Sequence, residues 1–194
     1  MVNKEKASLD DHRLIKSLLS AGMYAEKGTE EQDWRDKIDV IAKGVFTPDD
    51  TIYIDAKNKD GDQEYSVSVE ILNYLTSTNK AVLGSLLVGK ATHYAFKIRN
   101  KWLIVCKELL QDMVAARWSS SLSDNDTIMA VKAVPFKKSK PGDYSTRNWM
   151  GKPDLIVRIP IKYILERGKE NKDYISIPYV ELTDEEAKNC NGLG

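Results

Sequence analysis

The 194-residue chain is poor in the residues that staple small proteins or hold soft metals: it has two cysteines, Cys106 and Cys190, and two histidines, His12 and His93. The cysteines form neither a disulfide framework nor a C-x-x-C pair, so the expected setting is reducing and intracellular. Two isolated histidines, one in a predicted helix and one in a predicted strand, do not make a zinc site. Apolar runs are short, and none approaches the roughly 20 residues a membrane helix needs. The opening Met-Val-Asn-Lys-Glu-Lys has no apolar h-region, so no secretory leader is expected. Gly84 to Gly89 lacks the Gly-Lys-Ser/Thr ending of a phosphate-binding P-loop. Ser119-Ser120-Ser121 has no base partner that would make a serine hydrolase. There is no internal repeat and no low-complexity tract. What remains is a globular intracellular chain, long enough to bury a core without disulfides or structural metals.

Formal charge sums to zero, from 29 Lys+Arg and 29 Asp+Glu, but it is unevenly spread. Residues 80–167 hold 16 basic and 7 acidic side chains, and the rest of the chain holds 13 and 22. Such asymmetry predicts a basic face and an acidic region, and a basic face suits a polyanion such as nucleic acid.

Periodicity predicts a helix over Leu9–Met23, with Ser8 as N-cap, Asp10 and Asp11 in the first turn and Gly22 as terminator. Residues 25–36 are polar and read as a loop or short helix. Strands follow at 37–42, 51–57 and 64–72, the last alternating Tyr65, Val67, Val69 and Ile71 against polar residues. Short turns between them predict an antiparallel meander. A hairpin is expected at 92–98 and 101–106 around Arg99-Asn100, then a helix over Lys107–Trp118. A basic, irregular stretch, a strand-to-helix junction at Pro160 and a short helix from Asp184 complete the order. The expected fold is α/β, of the mixed or α+β kind, in a single domain over 1–183 with its core at about 9–118 and a tail over 184–194.

Two of the predicted strands carry an aspartate, which strand interiors disfavour: Asp39 in Lys-Ile-Asp-Val-Ile and Asp55 in Ile-Tyr-Ile-Asp-Ala-Lys. Adjacent strands lie about 4.8 Å apart. Two carboxylates at that separation repel unless a cation lies between them. Mg²⁺, or Mn²⁺ in its place, takes one or two carboxylates and keeps its other positions for water and phosphate oxygens. Lys57, two residues after Asp55, shares its strand face and would stand beside the ion. Ala56 would offer its backbone carbonyl to the same ion.

These residues resemble the PD-(D/E)XK nuclease superfamily, whose signature is an acid on one strand and, after a spacer, Asp/Glu-x-Lys on the next. Here 15 residues separate Asp39 from Asp55, and Asp55-Ala56-Lys57 forms the second half. Isoleucine stands before the first acid, where the family name has proline. The resemblance covers about Leu9 to Val114 and implies a restriction-endonuclease-like core: a helix, then an antiparallel meander flanked by helices, with further strands. It also implies metal-dependent hydrolysis of DNA phosphodiesters by Asp39, Asp55 and Lys57. Family members carry a further acid upstream, matched here by Glu31 or, in the same stretch, Glu26 or Glu30. A polar residue on the third strand is matched by Glu70.

DNA is the expected partner, with a homodimer left open. Lys90, Lys132, Lys137, Lys138, Lys140, Arg147 and Lys152 supply cations for phosphates, and Trp149, with Phe136 and Tyr144, supplies rings on which bases stack. Gly142, Gly151 and the flanking prolines give residues 132–152 the composition of a lid-like loop. The competing readings are a nucleic-acid-binding module without catalysis and a protein-sequestering interaction protein.

Overall fold

A computed structural model describes residues 2–57, 65–75, 80–118, 144–149 and 152–191. The chain forms two compact units. The first comprises Met1–Glu64, Lys90–Cys106 and Glu170–Gly194, and the second Tyr65–Gly89 and Lys107–Lys169. Both mix helices and strands, so the chain is a mixed α/β protein, as its element order predicts. No helix among the described residues is long and apolar enough to cross a membrane.

The first unit opens with helix α1, Val2–Ser20, whose Leu14 and Leu18 are fully buried against the sheet. The helix starts earlier than expected from Ser8, so Asp10 and Asp11 lie in its interior rather than its first turn. Asp10 is stabilised by Arg13, at 2.8 Å one turn on, rather than by a helix end. Gly22 ends the helix as expected: its φ of 83° suits a residue without Cβ, and Met23 N–H closes the turn on Leu18 O at 3.1 Å.

Strand β1, Tyr24–Lys27, replaces the expected loop. Only Ala25 of its four residues is buried, so it carries little periodic signal and owes its form to pairing with β2. A π-helical turn, Gln32–Asp36, leads through Lys37, at φ 59°, into β2, Val40–Lys43. Between β2 and β3, Thr51–Lys57, the Asp50 carboxylate accepts the amides of Val45, Phe46 and Thr47 and closes the turn. Strands β6, His93–Ile98, and β7, Lys101–Cys106, form the expected hairpin, with Arg99 at φ 52° in its two-residue loop. Strand β10, Tyr174–Pro178, and helix α5, Asp184–Asn191, follow. The sheet order is β1-β2-β3-β6-β7-β10, antiparallel except for the parallel β3–β6 pair. Val40, Ala42, Ile52, Ile54, Ala95, Trp102, Ile104 and Ile177 share one core with Leu14 and Leu18.

The second unit has a four-stranded antiparallel sheet, β5-β4-β9-β8. Its strands are β4, Ser66–Leu75; β5, Lys80–Leu83; β8, Tyr144–Trp149; and β9, Lys152–Pro160. Its helices are α2, Ser85–Val88; α3, Lys107–Trp118; and α4, Ile161–Gly168. Val67, Val69 and Ile71 of β4 are buried as read, but Tyr65, expected on the same face, is 71% exposed just before the strand, and Ser66 is buried. The strand's partner is not as read. In place of a meander with β3, β4 pairs with β5 and β9 in this separate sheet, and the antiparallel meander of the first unit is β1-β2-β3. Alternation reveals which face of a strand is covered, but not which strand lies beside it.

Candidate active site

The site is built on the end of β2 and the facing part of β3. Val40 pairs with Ile54, and the strand expected over 37–42 begins only there, so Asp39 stands just before β2 and Asp55 next after Ile54 on β3. Ile54 lies in the core, so by alternation Asp55 and Lys57 project from the other face of β3. The Asp39 backbone is held on both sides: its N–H donates to Ile54 O at 2.9 Å, and its carbonyl accepts Gly28 N–H at 2.8 Å. Gly28 comes so close that a Cβ there would stand 2.3 Å from Ile38 O. Asp39 Oδ2 accepts the Ala56 N–H at 2.6 Å.

Asp55 is 3% exposed, and its Oδ1 lies 2.8 Å from Lys57 Nζ. The register of a single strand therefore delivers both the second acid and its lysine. Burial, then the charges of Asp55 and Asp11, raises the Asp39 carboxyl well above the usual range, against the pull of the Ala56 amide and Lys57.

Asp11 is the member that sequence reading missed. It is 7% exposed, and burial pushes its carboxyl up to about 7, with Lys27 pulling down and Asp33, Asp10 and Asp55 pushing further up. Lys27 Nζ lies 3.8 Å from Asp11 Oδ2. The signal was present: Asp11, Leu14 and Leu18 stand at i, i+3 and i+7, so a carboxylate occupies the apolar stripe of α1.

Other expected site residues lie elsewhere. Glu31 is 70% exposed and pairs with Arg35 at 2.6 Å. Glu26 is exposed and accepts the Tyr24 hydroxyl, and Glu30 is exposed. Glu70 belongs to β4, which the sheet bearing Asp55 does not contain. Lys90 is exposed, and its Nζ pairs with Asp36 at 3.0 Å. Arg147 and Trp149 are on β8 and Lys152 opens β9, where Trp149 pairs with Lys152. Lys132, Phe136, Lys137, Lys138 and Lys140 lie outside the described residues.

Among the described residues no three His, Cys, Asp or Glu side chains are grouped closely enough to hold a metal by themselves. No family model, no curated protein and no solved structure matches the chain.

Proposed function

We propose that the chain is a metal-dependent nuclease of the PD-(D/E)XK kind, with a restriction-endonuclease-like core, acting on DNA phosphodiesters. The observation that supports this most is that the Asp39 carboxylate reaches β3 at Ala56, the residue after Asp55, with Lys57 beside Asp55. The order of helix α1 before the β1-β2-β3 meander agrees with it.

Asp39 and Asp55 are hard oxygen donors of the kind a divalent cation takes in ones and twos, the rest of its shell being water and phosphate. Burial raises the carboxyls of both Asp39 and Asp11, and the charge of Asp55 adds to each, with Asp11 also pushing Asp39 up. Lys57 and Lys27 together do not offset that charge and burial. Asp39, Asp55 and the Ala56 carbonyl would hold Mg²⁺ or Mn²⁺. When bound, the ion supplies Lewis-acid polarisation of a phosphate oxygen. The chain's own groups do the rest. Asp55 orients Lys57, whose ammonium stands ready to stabilise charge that develops on the phosphate or the attacking water. The Ala56 amide fixes Asp39 in one rotamer. Lysines and arginines of the second unit, 13 against 8 acids, would supply sequence-independent phosphate contacts.

Plasmid nicking with Mg²⁺ or Mn²⁺ tests the reading. The parent should cut, and Asp55→Asn should lose cutting in Mg²⁺ and regain part of it as Mn²⁺ is raised. Salt-sensitive DNA binding without any cleavage would move the chain to the non-catalytic binding class. Neither binding nor cleavage of DNA or RNA would favour an interaction protein.

A further inference from the structure

Strand β6 brings an aromatic ring to Lys57. In the parallel β3–β6 register Tyr94 lies beside Asp55, and Phe96 lies beside Lys57. Tyr94 is 1% exposed, and its ring stacks on Phe96 with centroids 6.1 Å apart. Lys57 Nζ stands 5.7 Å from the Tyr94 ring centroid while it is 2.8 Å from Asp55 Oδ1. The ammonium is thus held between a carboxylate and a buried aromatic face.

A lysine side chain is long and loses considerable rotamer freedom when fixed. A carboxylate binds it as a point charge and leaves direction open. A ring within about 6 Å attracts the ammonium through its quadrupole, more strongly where water is excluded. The Tyr94 ring cannot swing away, because Phe96 is packed against it and both are buried.

We infer that Tyr94 is a positioning residue for Lys57: its ring face fixes where the ammonium stands beside Asp55, so the lysine is already placed when a phosphate arrives. The consequence for cleavage rests on the nuclease reading above, whereas the placement itself does not. Tyr94 acts through Lys57, so the electron density of the ring, rather than its volume, sets the effect.

The test replaces Tyr94 with phenylalanine and then with phenylalanines of increasing fluorine content, which keep the ring shape while emptying its face. Cleavage kcat should fall stepwise along the series, by about two- to thirtyfold in all, with KM unchanged. Tyr94→Leu should show a loss of the same order, and Tyr94→Phe should recover the rate. A second readout needs no activity: the ε-methylene resonance of Lys57 in lysine-labelled protein, assigned by its disappearance in Lys57→Arg. It should be shifted upfield by the ring in the parent and in Tyr94→Phe, and return to the position of exposed lysines in Tyr94→Leu. A Lys57 resonance already at that position in the parent overturns the inference, as does a flat kcat along the fluorinated series in a parent that cuts. A parent that cuts nothing removes the nuclease reading, and the resonance then decides the placement alone.

Discussion

The two units solve the problem of burial differently. In the first, four carboxylates are buried: Asp10, Asp11, Asp36 and Asp55. In the second, the buried polar side chains among the described residues are Ser66 and Ser85 alone. Charge follows the same division, with 16 basic and 21 acidic residues in the first unit against 13 and 8 in the second. An ionised carboxylate in an apolar surround is costly unless it is paired. Asp10 and Asp36 are paired, with Arg13 and with Arg35 and Lys90. At Asp11 and Asp39 burial outweighs the pull of Lys27 and of the Ala56 amide and Lys57, so both carboxyls lie above the ordinary range. The lesson is that buried carboxylates gather in the unit that holds the first sheet, while the other unit carries the surplus of basic residues.

The largest expected effect lies in that first sheet. Lys57→Ala should lower cleavage by roughly a hundred- to a thousandfold, the usual cost of losing one electrostatic group aimed at a transition state. Plasmid nicking reads it, with thermal melts as fold control, and added Mn²⁺ should not restore the rate. A variant that cuts as fast as an active parent would show that Lys57 merely neutralises Asp55.

Two glycines sharpen the comparison. A Cβ at Gly28 would meet Ile38 O at 2.3 Å, and one at Gly84 would meet Glu70 O at 2.4 Å. Both clashes are with backbone, so Gly28→Ala and Gly84→Ala should each destabilise by about 1–3 kcal/mol or more in denaturant melts. Only Gly28→Ala should also displace Asp39, because the Gly28 N–H is bonded to the Asp39 carbonyl. Equal losses of Mn²⁺ affinity in the two variants would break the distinction.

Neutralising the basic stretch should act on binding alone. With Lys137, Lys138 and Lys140 all changed to Ala, the slope of log affinity against log salt should become shallower by about 0.9 for each phosphate that is no longer neutralised. An unchanged slope would mean that other cations of the chain neutralise the phosphates.

The smallest effect is on pH dependence. Asp11 binds its proton up to about pH 7 in the folded chain, against an ordinary value of 3.8. The folded state therefore holds more protons than the unfolded one across that window, and stability from this group is complete below pH 3.8 and lost as pH rises to about 7. Asp11→Asn should flatten that part of the metal-free stability profile in urea melts, and Mg²⁺ should flatten it in the parent. A profile that keeps its slope in Asp11→Asn would assign it to another group.

How much of this was readable depends on whether the information is local. Helix α3 has the expected bounds, and the β6–β7 hairpin differs from its expected span by one residue, because apolar periodicity and a two-residue turn are local properties. Asp39 and Asp55 were legible because charge inside an apolar run is locally anomalous. Strands β1 and β10 were not, since each is short and mostly uncovered and is recruited by a partner far away in sequence. The irregular reading of the basic stretch missed β8 for the same reason: its Tyr-Ser-Thr-Arg-Asn-Trp has no apolar alternation and is defined by its register with β9. Asp11 was misassigned because an acid after a plausible cap reads as dipole compensation until the true start of the helix is known.

Lys16 of α1 pairs with Glu186 of α5 at 2.6 Å, across 170 positions, and β10 closes on β7 only after Lys107–Lys169, the longer segment of the second unit, has passed between them. During synthesis, helix α1 must wait for α5 before this contact can form. The second unit, whose own segments end at Lys169, can be finished first. Non-local closure of this kind slows folding and prolongs exposure of apolar surface. In the nascent chain, the sheet of the second unit would stand folded while that of the first is still waiting for its edge strand.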